Sequence, residues 1–157
     1  MPNTPAMVGK GVSGIYVPKD GVQSGDSVMA RVIMEAVGAV VDLAEEAGID
    51  DITCVSGSGP AYVFYFIESM IDGAVKHGFS PAEARRLVLA TFEGAVELAK
   101  ASNEAVATLR TNVMSKGGTT ERAILRFEQE QVKAAIVAGM DDCRARSVEM
   151  GQQLSQG

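Results

Sequence analysis

The sequence predicts a mainly α-helical bundle with a short β edge near its N-terminal side. Three observations point there. Apolar residues recur at helical spacing through most of residues 26–150. Ser80-Pro81-Ala82-Glu83 is a complete helix-start signal: capping serine, proline at the first helical position, glutamate at the third. Residues 12–17 (VSGIYV) read as a short β-prone segment. A lone strand is not stable, and since only residues 40–43 look anything like a partner, the segment is expected to be an orphan β edge of a sheet that lies elsewhere.

Taken in order, residues 1–11 (MPNTPAMVGKG) carry two prolines and two glycines and are expected to form an irregular loop. The strand over 12–17 stops at Pro18. Asp26 or Ser27 is placed to cap a helix running to about Val37, with Val28, Val32, Ile33 and Ala36 on one face and Gly38 ending it. Asp50 or Asp51 is expected to cap a short turn leading into Ser56-Gly57-Ser58-Gly59-Pro60. Residues 61–77 are apolar nearly all round, the mark of a helix enclosed by others, and Gly78 is its stop signal. The helix after Ser80 carries Leu87, Ala90, Thr91, Gly94, Ala95 and Leu98 on a seam of mostly small residues. A shorter helix spans about 104–113, another about 120–127, and Val132, Ala135, Ile136, Gly139, Met140, Cys143, Ser147 and Met150 form a last stripe. If both apolar helices are enclosed, one copy of the chain has too few other helices to cover them. An interleaved homodimer would solve this; the alternative is a monomer with an ordinary bundle.

Composition removes several function classes. A net charge of -6 disfavours a nucleic-acid surface, which wants a basic stripe. His77 is the single histidine, so no histidine-rich metal site is expected. Cys54 and Cys143 lie far apart within helix-like patterns and read as free buried thiols of a reducing compartment. No apolar run is long enough for a bilayer, and the N-terminus lacks a basic-then-apolar signal, so no membrane association and a cytoplasmic location are expected.

Two glycine-containing stretches carry the candidate chemistry. In Ser56-Gly57-Ser58-Gly59-Pro60, Tyr62 stands where a dinucleotide fingerprint would need its third glycine. The spacing also fails the nucleophile-elbow pattern, which leaves a tight helix start as the plain reading. In Ser115-Lys116-Gly117-Gly118-Thr119-Thr120, the lysine precedes both glycines, unlike a Walker A loop. Ser115, the amides of Gly117, Gly118 and Thr119, and the Thr120 hydroxyl could converge on a small carboxylate at a helix N-terminus. Equally, Thr119 or Thr120 could simply cap the next helix. Arg110, Arg122 and Arg126 flank the loop. Glu45, Glu46, Asp50 and Asp51 read as a solvated acidic turn.

Together, Met1-Pro2-Asn3-Thr4-Pro5, Ser56-Gly57-Ser58-Gly59-Pro60-Ala61-Tyr62 and Ser115-Lys116-Gly117-Gly118-Thr119-Thr120 closely resemble, in order and spacing, the pyrroline-5-carboxylate reductase family. The resemblance covers the C-terminal part of that family. It implies a helical bundle of the 6-phosphogluconate-dehydrogenase C-terminal-like type over residues 23–157. Residues 1–22 would be the edge left from a Rossmann cofactor domain. It further implies hydride transfer from NADPH or NADH to 1-pyrroline-5-carboxylate giving L-proline, without a metal. An intertwined homodimer that can assemble into a decamer is implied as well. By position, Ser115, Gly117, Gly118, Thr119 and Thr120 would bind substrate, and Thr53 and Thr120 would be catalytic. Asn3, Pro5 and Thr53 would lie at the cofactor's reactive end. The family's loop usually has proline where Lys116 stands, a change that keeps the glycines and threonines but removes a backbone restraint. Without the cofactor domain the chain alone is expected to be inactive. The alternatives are a non-catalytic helical oligomerisation module and a related reductase of another small carboxylate.

Overall fold

The computed structural model describes residues 1–20 and 23–155. The domain boundary expected between residues 22 and 23 therefore falls partly on positions, 21 and 22, outside the described residues. The chain divides into two compact units, Met1–Tyr62 with Ile136–Gly157, and Val63–Ala135.

In the first unit the strand expected to be an orphan edge has a partner within the chain. β1 (Gly11–Tyr16) runs parallel to β2 (Gly38–Leu43), with Gly11 opposite Gly38 and Tyr16 opposite Leu43. Parallel neighbours need a crossover connection, and α1 (Ser24–Glu35) supplies it. β2 begins two residues earlier than its apolar run suggested, because Gly38 does more than end a helix. Its φ is 155°, and a Cβ there would stand 2.0 Å from the Gly11 carbonyl oxygen, so only glycine lets the strands meet at this end. Ser13, 1% exposed, is the most buried polar residue and donates its hydroxyl to the Met34 sulfur of α1 at 3.5 Å.

Several local expectations are corrected here. Residues 1–11 are not irregular throughout: Thr4–Val8 form a 3₁₀ helix with proline at its start and Gly9 closing it at φ 69°. α1 is not capped by Asp26 or Ser27 and does not reach Val37. The chain enters it from extended backbone at Gln23, and Asp26 lies inside the first turn, where its charge still suits the helix dipole. Asp50 and Asp51 do not cap a turn either. They lie within α2 (Gly48–Ile52), which continues an already helical Ala47. Nor are they merely solvated. Asp50 accepts from the Ser147 hydroxyl at 2.6 Å, and Asp51 pairs with the Arg144 guanidinium, which fastens α7 (Val132–Leu154) to α2.

α2 runs directly into a π-helical turn, Thr53–Gly57, and then into α3 (Gly59–Lys76). α3 matches the apolar run closely, and Gly78 at φ 100° follows it as expected. Its enclosure is not supplied by the chain itself: none of its residues is buried, and Phe64 and Tyr65 are 63% and 68% exposed.

The second unit takes in most of α3 together with α4 (Pro81–Ala101), α5 (Val106–Asn112) and α6 (Thr119–Gln129). On α4 the buried pair is Ala84 and Val88, one turn apart, while Leu87 and Leu98 of the expected seam face outward. The start of α4 is built as read. The Ser80 hydroxyl accepts from the Glu83 N–H at 3.3 Å, and the Glu83 carboxylate accepts from the Ser80 N–H at 3.1 Å.

The Ser80 hydroxyl first, and the Ser80 backbone N–H second, hold the Glu83 carboxyl below the ordinary glutamate range. A carboxyl whose folded pKa lies below its unfolded one stabilises fully above the unfolded pKa. That contribution is lost as pH falls through the folded pKa. Ser80→Ala is therefore expected to lower the melting temperature at neutral pH by roughly 2–5 °C. The gap to the unsubstituted chain should narrow progressively as pH is lowered below the ordinary glutamate range and the carboxyl takes up its proton; thermal scans at neutral pH and along an acid series check both effects.

Candidate functional site

The loop between α5 and α6 is set by two glycines for two different reasons. Gly117 lies at φ 74°, in the left-handed region that an L side chain resists. Gly118 has ordinary backbone angles, but a Cβ on it would come 2.3 Å from the Ser115 hydroxyl oxygen and 2.9 Å from the Ser115 carbonyl oxygen. That space is closed because the Gly118 N–H donates to the Ser115 carbonyl at 2.8 Å. Gly118 is also the residue that precedes α6. Thr119 and Thr120 are thus its first two helical residues and not its cap, which disposes of the plainer reading of this loop.

The hydrogen bonding narrows the anion nest. Glu121 reaches back so that its carboxylate accepts from the Gly117 N–H at 2.6 Å, and the Gly118 N–H is held by Ser115. Two of the three amides expected to converge on a ligand are therefore occupied within the loop. The first-turn amides of Thr119, Thr120 and Glu121 have no acceptor inside the helix, so the open donors begin two residues further along than the sequence suggested. Thr120 is half-buried, whereas Ser115, Lys116 and Thr119 are exposed. Of the flanking arginines, Arg126 pairs with Glu130 along α6 at 2.7 Å.

Thr53, Asn3 and Pro5 belong to the first unit and Ser115–Thr120 to the second. Thr53 opens the π turn: its carbonyl accepts from the Ser58 N–H at 2.8 Å, and its hydroxyl donates to the Ile49 carbonyl at 2.6 Å. A carbonyl can only accept, so the Thr53 proton is committed and the oxygen keeps its lone pairs for an incoming N–H. Pro5 lies in the 3₁₀ helix, its carbonyl accepting from the Lys10 N–H at 3.0 Å. Asn3 bridges two elements: its side-chain N–H donates to the Ser56 carbonyl at 2.9 Å and its oxygen accepts from the Val12 N–H at 2.8 Å. Asn3 and Thr53 are thereby joined through one turn.

Beside that turn sits a small thiol and hydroxyl cluster. Both cysteines are free, as expected, but only Cys54 is buried. Burial first, then the neighbouring Cys143 and Asp51, push the Cys54 thiol pKa up, so it stays protonated. Cys143 lies 3.2 Å from the Ser58 hydroxyl, and the buried Tyr62 hydroxyl has no hydrogen-bond partner among the described residues. Among the described residues no group of three or more His, Cys, Asp or Glu could hold a metal, and no helix is long and apolar enough to cross a membrane.

Sequence reasoning missed three of these features. The π turn has no residue-level signature apart from its small residues. The bridging of Asn3 depends on tertiary contact over 53 residues. Glu121 could have been found, since an acid three residues into a helix is the acceptor half of a capping box.

The fold and these sites define a helical dimerisation-type domain that follows a parallel β pair, and comparison with known proteins makes the class specific. Residues 46–150 match the sequence model described as pyrroline-5-carboxylate reductase dimerisation. The chain belongs to the pyrroline-5-carboxylate reductase family. It is 40% identical over 156 residues to the pyrroline-5-carboxylate reductase of Pseudomonas aeruginosa, covering 99% of this chain and 57% of that protein. Against the Haemophilus influenzae enzyme it is 37% identical, covering 96% and 55%. Among solved structures, the Plasmodium falciparum pyrroline carboxylate reductase with NADP bound superposes with a TM-score of 0.91 at 36% identity, over 96% of this chain and 61% of that one. The Coxiella burnetii enzyme gives 0.86 at 34%, over 95% and 55%. The chain thus spans little more than half the length of these relatives.

The two glycines are expected to fail differently when replaced. Gly117→Ala should cost ~1–2 kcal/mol through its left-handed φ while the loop keeps its bonds. Gly118→Ala should break the turn, so that the Gly117 and Gly118 amides lose protection from hydrogen exchange while helix content by circular dichroism is unchanged.

Proposed function

We propose that this chain is the substrate-binding and dimer-forming part of a pyrroline-5-carboxylate reductase, which reduces 1-pyrroline-5-carboxylate to L-proline with NADPH or NADH in the cytoplasm. The observation that carries this reading is the loop at the head of α6, with its open first-turn amides, in a chain that belongs to this family. A helix N-terminus with free N–H groups suits a carboxylate. The Glu121 carboxylate occupies the Gly117 amide, which leaves the Thr119 and Thr120 amides as the donors for the substrate's carboxylate.

In this reading the Thr119 and Thr120 amides and the Thr120 hydroxyl hold the substrate carboxylate, and Ser115, Gly117 and Gly118 shape the loop that presents them. Thr53, in the first unit, has by itself the role that the family resemblance implies, that of a partner for the imine nitrogen. With its own proton committed to Ile49, its oxygen accepts the N–H of the protonated ring and favours the iminium, the better hydride acceptor. Protonation of the ring nitrogen then comes from solvent, and positioning supplies most of the catalysis this chain contributes.

The fit of a reduced nicotinamide to this chain is partial. Gly57-Ser58-Gly59 follows a helix and a π turn, not a strand, so it does not form the pyrophosphate cradle of a dinucleotide fold. Asn3, Pro5 and Thr53 suit only the nicotinamide end, and the rest of the binding falls to a separate domain, of which residues 1–22 would be the edge. When bound, the reduced nicotinamide supplies a hydride to the imine carbon. The exposed Phe64 and Tyr65 of α3 are read as part of a homodimer interface with intertwined helices, in keeping with the family match.

The test sets this chain in place of the matching portion of the Pseudomonas aeruginosa relative, alongside the 157-residue chain alone. The combined protein is expected to reduce 1-pyrroline-5-carboxylate with NADPH, and the chain alone to show no reduction. Thr120→Ala in the combined protein should raise KM for the imine about tenfold, with KM for NADPH moved less than about twofold. A combined protein that dimerises without reductase activity would overturn the reading, as would a Thr120→Ala effect confined to NADPH.

A further inference from the structure

We propose that Asn3 is a positioning residue for Thr53: its side-chain amide straps the π turn Thr53–Gly57 to the start of β1, and this contact sets how Thr53 presents its oxygen. The inference rests on the role given to Thr53 above and adds a residue that acts through it.

Asn3 stands one residue before a helix, in extended backbone, where an asparagine ordinarily caps the helix with its own oxygen. Here it makes no such cap. The side chain turns to two other elements and uses both of its chemical ends. The oxygen accepts from the Val12 N–H of β1 at 2.8 Å, and the NH₂ donates to the Ser56 carbonyl at 2.9 Å. Among side chains of this size, only an amide offers an acceptor and a donor two bonds apart. A neutral strap of this kind costs no charge burial.

What it straps is a turn that needs support. A π turn is a one-residue widening of a helix and is kept mostly where function or packing requires it. The hydroxyls of this one are spent on its N-terminal side: Thr53 donates to the Ile49 carbonyl at 2.6 Å and Ser56 to the Ile52 carbonyl at 3.2 Å. Both are local bonds to the preceding turn, and neither ties the segment to another element. Asn3 makes the sideways tie. With its oxygen and one of its two N–H groups occupied, Asn3 has a single N–H left, which makes direct cofactor binding the lesser part of its work.

The aspartate and alanine variants separate the strap from other roles. Asn3→Asp keeps the acceptor for Val12 but turns a carboxylate oxygen toward the Ser56 carbonyl. Protonation returns a donor at that position. In the reductase assembled from this chain and the rest of the Pseudomonas aeruginosa relative, both variants are expected to lower kcat about tenfold at neutral pH, with KM for NADPH changed less than about twofold. The kcat of Asn3→Asp relative to the unsubstituted enzyme should recover as pH is lowered from about 8 to about 5, whereas that of Asn3→Ala should not. In parallel, hydrogen exchange at the Val12 amide is read in the 157-residue chain itself and should quicken about tenfold in Asn3→Ala.

Unchanged kcat in both variants would overturn the proposal, as would an effect confined to the NADPH constant or an unaltered Val12 exchange rate. The exchange measurement needs no reductase activity. An inactive unsubstituted assembly would count against the proposed function, while slow Val12 exchange in Asn3→Ala would count against the strap.

Discussion

The Gly118 N–H donates to the Ser115 carbonyl at 2.8 Å, and that bond fixes where the first-turn amides of α6 point. It forms only because Gly118 lacks a Cβ, and the chain reaches it only because Gly117 adopts a left-handed φ. Glu121 closes the loop from the other side by taking the Gly117 N–H. The result is a loop fixed by the chain's own hydrogen bonds. Its remaining donors sit at the positive end of a helix dipole, where an anion gains typically 0.3–1 kcal/mol. Lys116, at the position where the family's loop usually has proline, is exposed, and the restraint a proline ring would add is met here by the Ser115 and Glu121 bonds.

The other unit is organised on the same principle, with short-range bonds fixing polar groups ahead of use. Thr53 has no freedom to rotate its proton toward a ligand while Ile49 holds it, so its chemistry is that of an acceptor. The acidic residues that precede it are equally committed. Asp50 and Asp51 look from the sequence like a charged surface turn, yet each takes a partner on α7, more than ninety residues away. Exposed ion pairs of this kind add little stability individually. Their value here is geometric, because they set α2, and with it the π turn, against the last helix.

Much of this architecture was legible in the residues. The capping box at Ser80, the apolar run of α3 and the glycine stop at Gly78 all follow from local rules that the fold obeys, whereas the strand near residues 12–17, read as an orphan edge, pairs with β2. The misread caps share a cause. Asp26, Ser27, Asp50 and Asp51 have the side chains of good caps, but the backbone enters each helix elsewhere, and a cap is defined by backbone angle as much as by residue type. The apolar surface of α3 was read as more than one copy of the chain could cover, and the chain does leave that surface open. At the candidate site, sequence reasoning found the loop and its glycines yet placed the open amides two residues too early. The difference lies in hydrogen bonds from Ser115 and Glu121 that residue types alone do not specify.

Whether the head of α6 receives a carboxylate is most directly read from its own amides. Proline is titrated into the isotope-labelled 157-residue chain while backbone amide resonances are followed. The account predicts that the Thr119 and Thr120 signals shift together and saturably, with Gly117 little moved because Glu121 already holds it. Saturable proline binding that leaves both threonine amides unmoved, with shifts gathered at another part of the chain, would contradict it.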